Sequence, residues 1–368
     1  MKRGIAILLA FSVMLAAAAC SAGPSAEEAA EPAPQQQADA GLAGKPDGGD
    51  GTPQQQADAG TAGKPDGDDE GSLLQGKKIG CTIVYKGDEW CAALARCLED
   101  TAAQYGVSIT VEDGDLNAET QTKQIENMLA GGVDMIFADP ATPDGCTEAL
   151  MQAVDAGVPV FIYDCYWNEA DQAVTSVTWD QELTGELMAD YLISYVEQHP
   201  DEYPEGKASV VLLELNTSAA AELRSKRFTE VLEEKAPGIA IVEVHDCEGN
   251  REKAANAIAN TVVPFDFVAS VVDNGAWGAV SAIQARGMSD VKVLSMGAYG
   301  AEPFEALYNQ DPNYLACVVV DPQVIADEIY SAAVRFFSGE TVEKTTYIDL
   351  FVADSSNVTN FWEFQAAE

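Results

Sequence analysis

The chain has only two histidines and twenty basic residues, against sixty acidic ones, giving a formal charge of −40 over 368 residues. So strong a negative balance excludes a nucleic-acid binder, because phosphates would be repelled along most of the surface. His199 lies in a polar loop and His245 ends a strand without a serine or cysteine partner, so no catalytic triad is evident. No CxxC occurs among the eight cysteines, and no nucleophile elbow or Gly-rich phosphate loop is found. A zinc centre, a nucleotide site and covalent catalysis all lose their usual signatures. No enzyme activity and no cofactor are expected.

Long apolar runs are also missing, except at the start. "MKRGIAILLAFSVMLAAAACSAG" has a charged beginning at Lys2 and Arg3, an apolar centre and small residues before Cys20. It reads as a secretory signal over 1–19, too short and wrongly flanked for a membrane span. The cysteine after "AAA" resembles a bacterial lipobox, with Ala17 in place of the usual leucine. That resemblance implies lipid attachment at Cys20 and an extracytoplasmic protein held to the membrane through the lipid alone. Residues 20–75 contain "PQQQADAGLAGKPDGGDGT" and then "PQQQADAGTAGKPDGDDEG", a 19-residue duplication with little to bury. Such composition cannot offset the entropy of ordering, so the segment reads as a tether with a span of roughly 40 Å.

The remaining seven cysteines are an odd number at irregular spacing, which is no disulfide framework. Most are expected to be small buried apolar residues. From Lys77 onward, short apolar segments alternate with helical patterns. "KIGCTIVY", "VSITVED", "VDMIFA", "VPVFIY" and "VTSVTW" form one series; "ASVVLLEL", "IAIVEVHD", "FVASVVD" and "VKVLSMG" form a second. Strands alternating with helices predict βαβ units and parallel sheets, here in two halves. A late "YLACVVVDPQVIADEIYSAAVRFFSGE" adds a strand and a helix, and "TTYIDLFVADSSNV" reads as a final strand and tail.

In open parallel sheets, ligands bind beyond the carboxyl ends of the strands. Those positions carry "YKGDEW", "ADPATPDG", "YDCYWNEAD", "ELNTSAAAELR", "VDNGAW" and "SMGAYGAEP". In this order they resemble the bacterial sugar-binding proteins of the ribose and galactose type, exported receptors that deliver solutes to ABC transporters. "SVTWDQELTGELMADYL", with Asp180 before a helix, is similar to that family's crossover, and "AAELRSKRF" to its arginine helix. The resemblance spans 77 to about 358. It implies an α/β fold of two doubly wound parallel-sheet lobes joined by a three-strand hinge, the type I periplasmic binding fold. The first lobe would comprise 76–179 plus about 321–348, the second 180–320 plus about 349–358. It further implies a monomeric receptor that closes on a small-molecule solute and meets an ABC transporter permease; a sensor kinase or chemoreceptor would read the same closed state.

Carried across, Asp88, Asp139, Asp164 and Arg224 would bond ligand hydroxyls, with Asp273 or Asn274 assisting, Trp90 stacking on the ligand and Tyr166 beside it. Local alternatives stand beside each. Trp90 could be core, Asp139 could cap the turn at Pro140, Asp164 could satisfy backbone donors, and Arg224 could pair with Glu222 or Glu230. Three positions where the family often places polar groups hold Cys165, Gly297 and Val320. The expected ligand is therefore less hydroxylated than a hexose: a deoxy sugar, a glycoside, a nucleoside or another modified compound.

Overall fold

The computed structural model describes residues 73–87 and 89–362. The expected signal, Cys20 and Asp88, and the expected tether as far as residue 72, lie outside the described residues; Leu74 is fully buried in the first lobe's core, so 73–75 belong to the folded domain rather than to a tether.

A first α/β series runs β1 (Lys78–Ile83), α1 (Glu89–Gln104), β2 (Ser108–Asp113), α2 (Ala118–Ala130), β3 (Met135–Ala138), α3 (Thr147–Asp155), β4 (Val160–Tyr163) and β5 (Thr175–Thr178). A second follows: α4 (Gln181–Gln198), β6 (Ala208–Glu214), α5 (Ala219–Lys235), β7 (Ile239–Asp246), α6 (Arg251–Asn260), β8 (Phe267–Ser270), α7 (Asp273–Ala285), β9 (Lys292–Ala298), α8 (Ala301–Tyr308) and β10 (Tyr314–Val319). The chain then returns through α9 (Pro322–Ser338) and β11 (Thr345–Tyr347) before ending in β12 (Phe351–Asp354).

Two six-stranded sheets result, in the orders β2-β1-β3-β4-β5-β11 and β7-β6-β8-β9-β10-β12. Their pairings are parallel except that of β12 with β10. In each sheet the strand order reverses beside the first strand of the series, which opens a crevice at the carboxyl ends of β1 and β3, and of β6 and β8. "MIFA", "VFIY" and "FVAS" are wholly buried because helices cover both faces. Alternation sorts their side chains. Phe137 and Phe161 join α1 and α9 residues such as Leu98 and Tyr330, while Ile136 and Ile162 face Ile125 and Leu150 of α2 and α3.

Helix starts are well marked. Asn117, Asp180, Ser218, Asn250 and Asp321 each accept a backbone N–H in the first turn that follows. Each such cap contributes about 1 kcal/mol. Gly185 lets α4 lie hard against α5: a Cβ built there would stand 2.2 Å from the Arg224 carbonyl oxygen.

The chain passes between the sheets three times: at Trp179–Asp180, at Val320–Asp321, and between β11 and β12. The C-terminal "TTYIDLFVAD" departs from the single strand expected of it. It is two short strands, one at the edge of each sheet, because three residues suffice to step from one sheet to the other.

Among the described residues all seven cysteines are free thiols, five of them buried. Burial pushes Cys81 up to about 12 and Cys146 and Cys247 up to about 11, which leaves them unreactive. The two histidines have structural partners. His199 Nδ1 meets the Tyr195 carbonyl at 2.7 Å, and His245 Nε2 meets Glu243 at 2.9 Å.

Candidate functional site

Trp90 is the second residue of α1, so the tryptophan opens the helix that follows β1. Its Nε1 donates to the Val320 carbonyl oxygen at 2.8 Å, across 230 residues of sequence. Its ring meets Trp179 edge-on, with centroids 5.7 Å apart. Trp179 follows β5 at the first crossing, and the Arg224 guanidinium lies 5.7 Å from its centroid. An aromatic pair from the first sheet thus faces a cation from the second.

Arg224 is buried, and its partners are neither of the glutamates, Glu222 and Glu230, that stood as the local alternative. Nε donates to Gln181 Oε1 at 2.6 Å, and Nη1 donates to the carbonyls of Val271 at 2.9 Å and Met296 at 3.0 Å. The side chain therefore ties the crossing segment to the ends of β8 and β9. Burial lowers its affinity for a proton to about 10, opposed first by the nearby Asp164 carboxylate and then by Tyr166. Gly297 has a reason in this arrangement. At φ +131° a Cβ would lie 3.1 Å from Arg224 Nη1, so the position accommodates the guanidinium rather than a further polar side chain.

Asp139 follows β3 and is fully buried. Oδ2 accepts the Val84 amide at 3.0 Å, which pins the loop after β1, while Oδ1 has no hydrogen-bond partner in the protein. One oxygen thus does the capping work expected of a structural aspartate and the other does not. Asp164 sits at φ +57°, a left-handed conformation that turns the chain sharply at the end of β4. Oxygens of Asp139 and Asp164 and the Cys165 Sγ all lie within 4.8 Å of one another. Burial first, and the Asp164 charge second, hold the Asp139 carboxyl well above the usual range. The Cys165 thiol is raised by burial and then by both carboxylates, so it is a poor metal ligand. Two carboxylates and a protonated thiol are also too few oxygens for calcium.

Trp90, Asp139, Asp164, Tyr166 and Arg224 are thereby gathered at the facing strand ends. Tyr166 is 44 % exposed and stands at the rim. Asp273 and Asn274 are not drawn into this group. The Asp273 carboxylate accepts Trp277 Nε1 at 3.1 Å and the Tyr314 hydroxyl at 3.3 Å, both of the second lobe's core. Asn274 accepts Arg251 Nε at 3.1 Å, and Arg251 in turn pairs with Glu302. Two members of the group carry no motif of their own in the sequence: Gln181, which orients Arg224, and Trp179, whose buried Nε1 has no hydrogen-bond partner.

Burial raises the Asp273 carboxyl to about 7, partly offset by its bond from Trp277. An acid whose folded value is raised binds more protons folded than unfolded, so its contribution to stability is greatest below about pH 4 and is lost as pH rises toward 7. Asp273→Asn keeps an acceptor and removes the charge. The difference in stability between variant and parent should therefore grow in the variant's favour between pH 4 and 7, by on the order of 3 kcal/mol, and then level off. Paired urea titrations across that range would show it; a constant difference would mean that Asp273 titrates normally.

Three comparisons bear on this arrangement. A family model described as a periplasmic binding protein domain matches residues 79–341. The galactofuranose-binding protein of Escherichia coli (strain K12) is 27% identical over 246 residues, 64% of this chain and 75% of that protein. A putative rhizopine-binding protein of Rhizobium meliloti is 27% identical over 301 residues, 77% of this chain and 92% of that one. Among solved structures, a solute-binding protein of Bacillus halodurans with bound myo-inositol superposes with a TM-score of 0.68 at 21% identity, covering 78% of this chain and 98% of that chain. The family match covers most of the chain, from β1 through α9; this chain belongs to the periplasmic binding protein family.

Proposed function

We propose that the protein is an extracytoplasmic solute-binding lipoprotein that captures a sugar or sugar-like small molecule by hinge closure and delivers it to an ABC transporter permease. The observation that carries the reading is the convergence of Trp90, Trp179, Asp139 and Asp164 from one sheet and Arg224 from the other, beside the crossing segments. A pyranose or furanose needs hydrogen-bonding partners for its hydroxyls and an aromatic face for its C–H surface, and this group offers both. The relatives support it: besides the galactofuranose binder they include the ribose import binding protein of Bacillus subtilis (strain 168), and a structural neighbour from Shewanella binds arabinofuranose. Cys20 would carry the lipid, and residues 20–72 would hold the binding domain off the membrane. Asp88, two residues before Trp90 in the sequence, would add a further acceptor. The protein would act as a monomer and without catalysis.

Contacts made only when both lobes close on the ligand shift the population toward the closed form in proportion to differential affinity. The test is tryptophan fluorescence and thermal shift of the chain against sugars, polyols, nucleosides and amino acids. Trp90→Ala should weaken binding of whichever ligand responds by about 1 kcal/mol, roughly fivefold, while leaving the fold intact. Unchanged affinity would remove Trp90 from the site. A second reading has one observation in its favour: the fructose-binding periplasmic domain of a hybrid two-component system shares the fold at a TM-score of 0.66. A sensing role would replace the permease by a receptor kinase, and co-purification from membranes would distinguish them.

A further inference from the structure

The first turn of α1 reaches across to the second lobe. Glu89 opens the helix and Trp90 follows it. Trp90 holds the second crossing through the Val320 carbonyl at 2.8 Å. Glu89 goes further, to the loop between β9 and α8 of the opposite sheet. A Cβ built on Gly300, the cap residue of α8, would stand 2.8 Å from Glu89 Oε1 and 3.1 Å from its Cδ. The carboxyl group of one lobe thus lies directly on the backbone of the other. Gly300 is buried, while Glu89 itself is exposed. With φ at +119°, Gly300 suits this approach through its conformation and through its missing side chain.

The surroundings favour an acid at this place. The start of α8 has no side-chain cap of its own, and the first backbone N–H groups of a helix attract negative charge. Arg251 of the second lobe is close by. It is held above its usual range first by its bond to Glu302, and the charges of Asp273 and then Glu89 add to that. Both ends of the contact are fixed. Tyr299, next to Gly300, has its hydroxyl near the Asp321 carboxylate that caps α9, and Asp139 pins the loop after β1 through the Val84 amide. Two anchored loops, one from each sheet, therefore meet through a single carboxylate.

Resting on the reading above that the protein closes on a solute, we propose that Glu89 is a clasp between the lobes: its carboxylate seats on Gly300 and the start of α8 when the cleft is shut, and returns to water when the cleft opens. The clasp belongs to the closed state alone, so it raises affinity by favouring that state. Breaking it lets the cleft open sooner, and its effect falls on dissociation rather than on association. Because the carboxylate is exposed, salt weakens the clasp. A residue that touches ligand acts according to the ligand's identity. The clasp acts alike on every ligand that closes the cleft.

The experiment is stopped-flow tryptophan fluorescence of the intact chain with uncharged probes: D-ribose, D-xylose, L-arabinose, D-allose and myo-inositol, each at low and at high sodium chloride. Glu89→Gln should raise the dissociation rate of every responding probe by about two- to fivefold at low salt, with the association rate unchanged. High salt should speed dissociation from the parent until the two rates converge. Gly300→Ala removes the seat from the other lobe and should give a similar increase. Combining the two variants should add little to either, as expected of one shared contact. If Gly300→Ala fails to fold, the salt dependence of Glu89→Gln decides. Equal dissociation rates of parent and Glu89→Gln at low salt, or full additivity of the two variants, overturn the clasp and leave the solute-binding reading standing. An effect on one responding probe and not on another does the same, by assigning Glu89 to ligand contact. Silence toward the whole panel overturns both.

Discussion

Arg224→Ala is expected to destabilise the ligand-free chain by about 3–5 kcal/mol and to abolish the ligand-induced thermal shift. The side chain is buried, and its removal strands the Gln181 amide oxygen and the Val271 and Met296 carbonyls without their donor. Each buried acceptor so abandoned costs about 1–3 kcal/mol. The Asp164 carboxylate loses its opposing charge at the same time. Arg224→Lys should recover only part of the loss, because a single ammonium cannot reach in three fixed directions. Equilibrium unfolding in urea measures the first effect, and titration with any responding ligand the second. A variant that binds poorly yet unfolds at the parent's midpoint would assign Arg224 to ligand alone and contradict the bonding seen here.

The second large effect concerns a residue that touches no candidate ligand group. A glycine-to-alanine change inside a helix ordinarily stabilises by about 0.5–1 kcal/mol. Gly185→Ala should instead destabilise by about 1–3 kcal/mol, because the added methyl would sit 2.2 Å from the Arg224 carbonyl oxygen and 2.9 Å from the Phe228 amide. The obstacle is backbone, which cannot rotate aside, so α5 must shift relative to α4. Since α5 carries Arg224, the same variant should weaken ligand binding. Gly278 offers an internal comparison, with a Cβ there meeting the Arg251 carbonyl at 2.3 Å. Its alanine variant should lose similar stability while moving α6 and α7 rather than the arginine. Normal stability in Gly185→Ala would show that the helices can separate cheaply.

The parts of this fold that were legible in the sequence are those governed by local pattern. Runs such as "VFIY" and "FVAS" announce buried parallel strands, and capping residues such as Asp180 and Ser218 announce helix starts. The strand-end rule pointed to Trp90, Asp139, Asp164 and Arg224 as candidates, residues that the fold gathers at the facing strand ends. What the sequence withheld is long-range. Nothing near Trp90 says that its indole N–H will find the Val320 carbonyl, and nothing near Arg224 names Gln181 as its acceptor. Gly297 looked like a missing ligand group because its neighbour in space, Arg224, is 73 positions away (297 less 224). The Asp273 loop failed for a finer reason. One residue of helical phase decides whether a carboxylate at the start of α7 points toward the facing lobe or toward Trp277, and composition carries no information on phase. The C-terminal segment was misjudged because strands of three and four residues fall below the length at which alternation can be recognised.

The placement of β11 and β12 bears on the order in which the molecule can be completed. The two strands are adjacent in the chain, yet each finishes a different sheet, and α9, which covers part of the first sheet, is made only after the whole second series. A polypeptide that emerges amino-terminus first therefore holds two unfinished sheets until residues 345–354 are available. Neither lobe can reach full stability early, and contacts of long sequence separation of this kind slow folding.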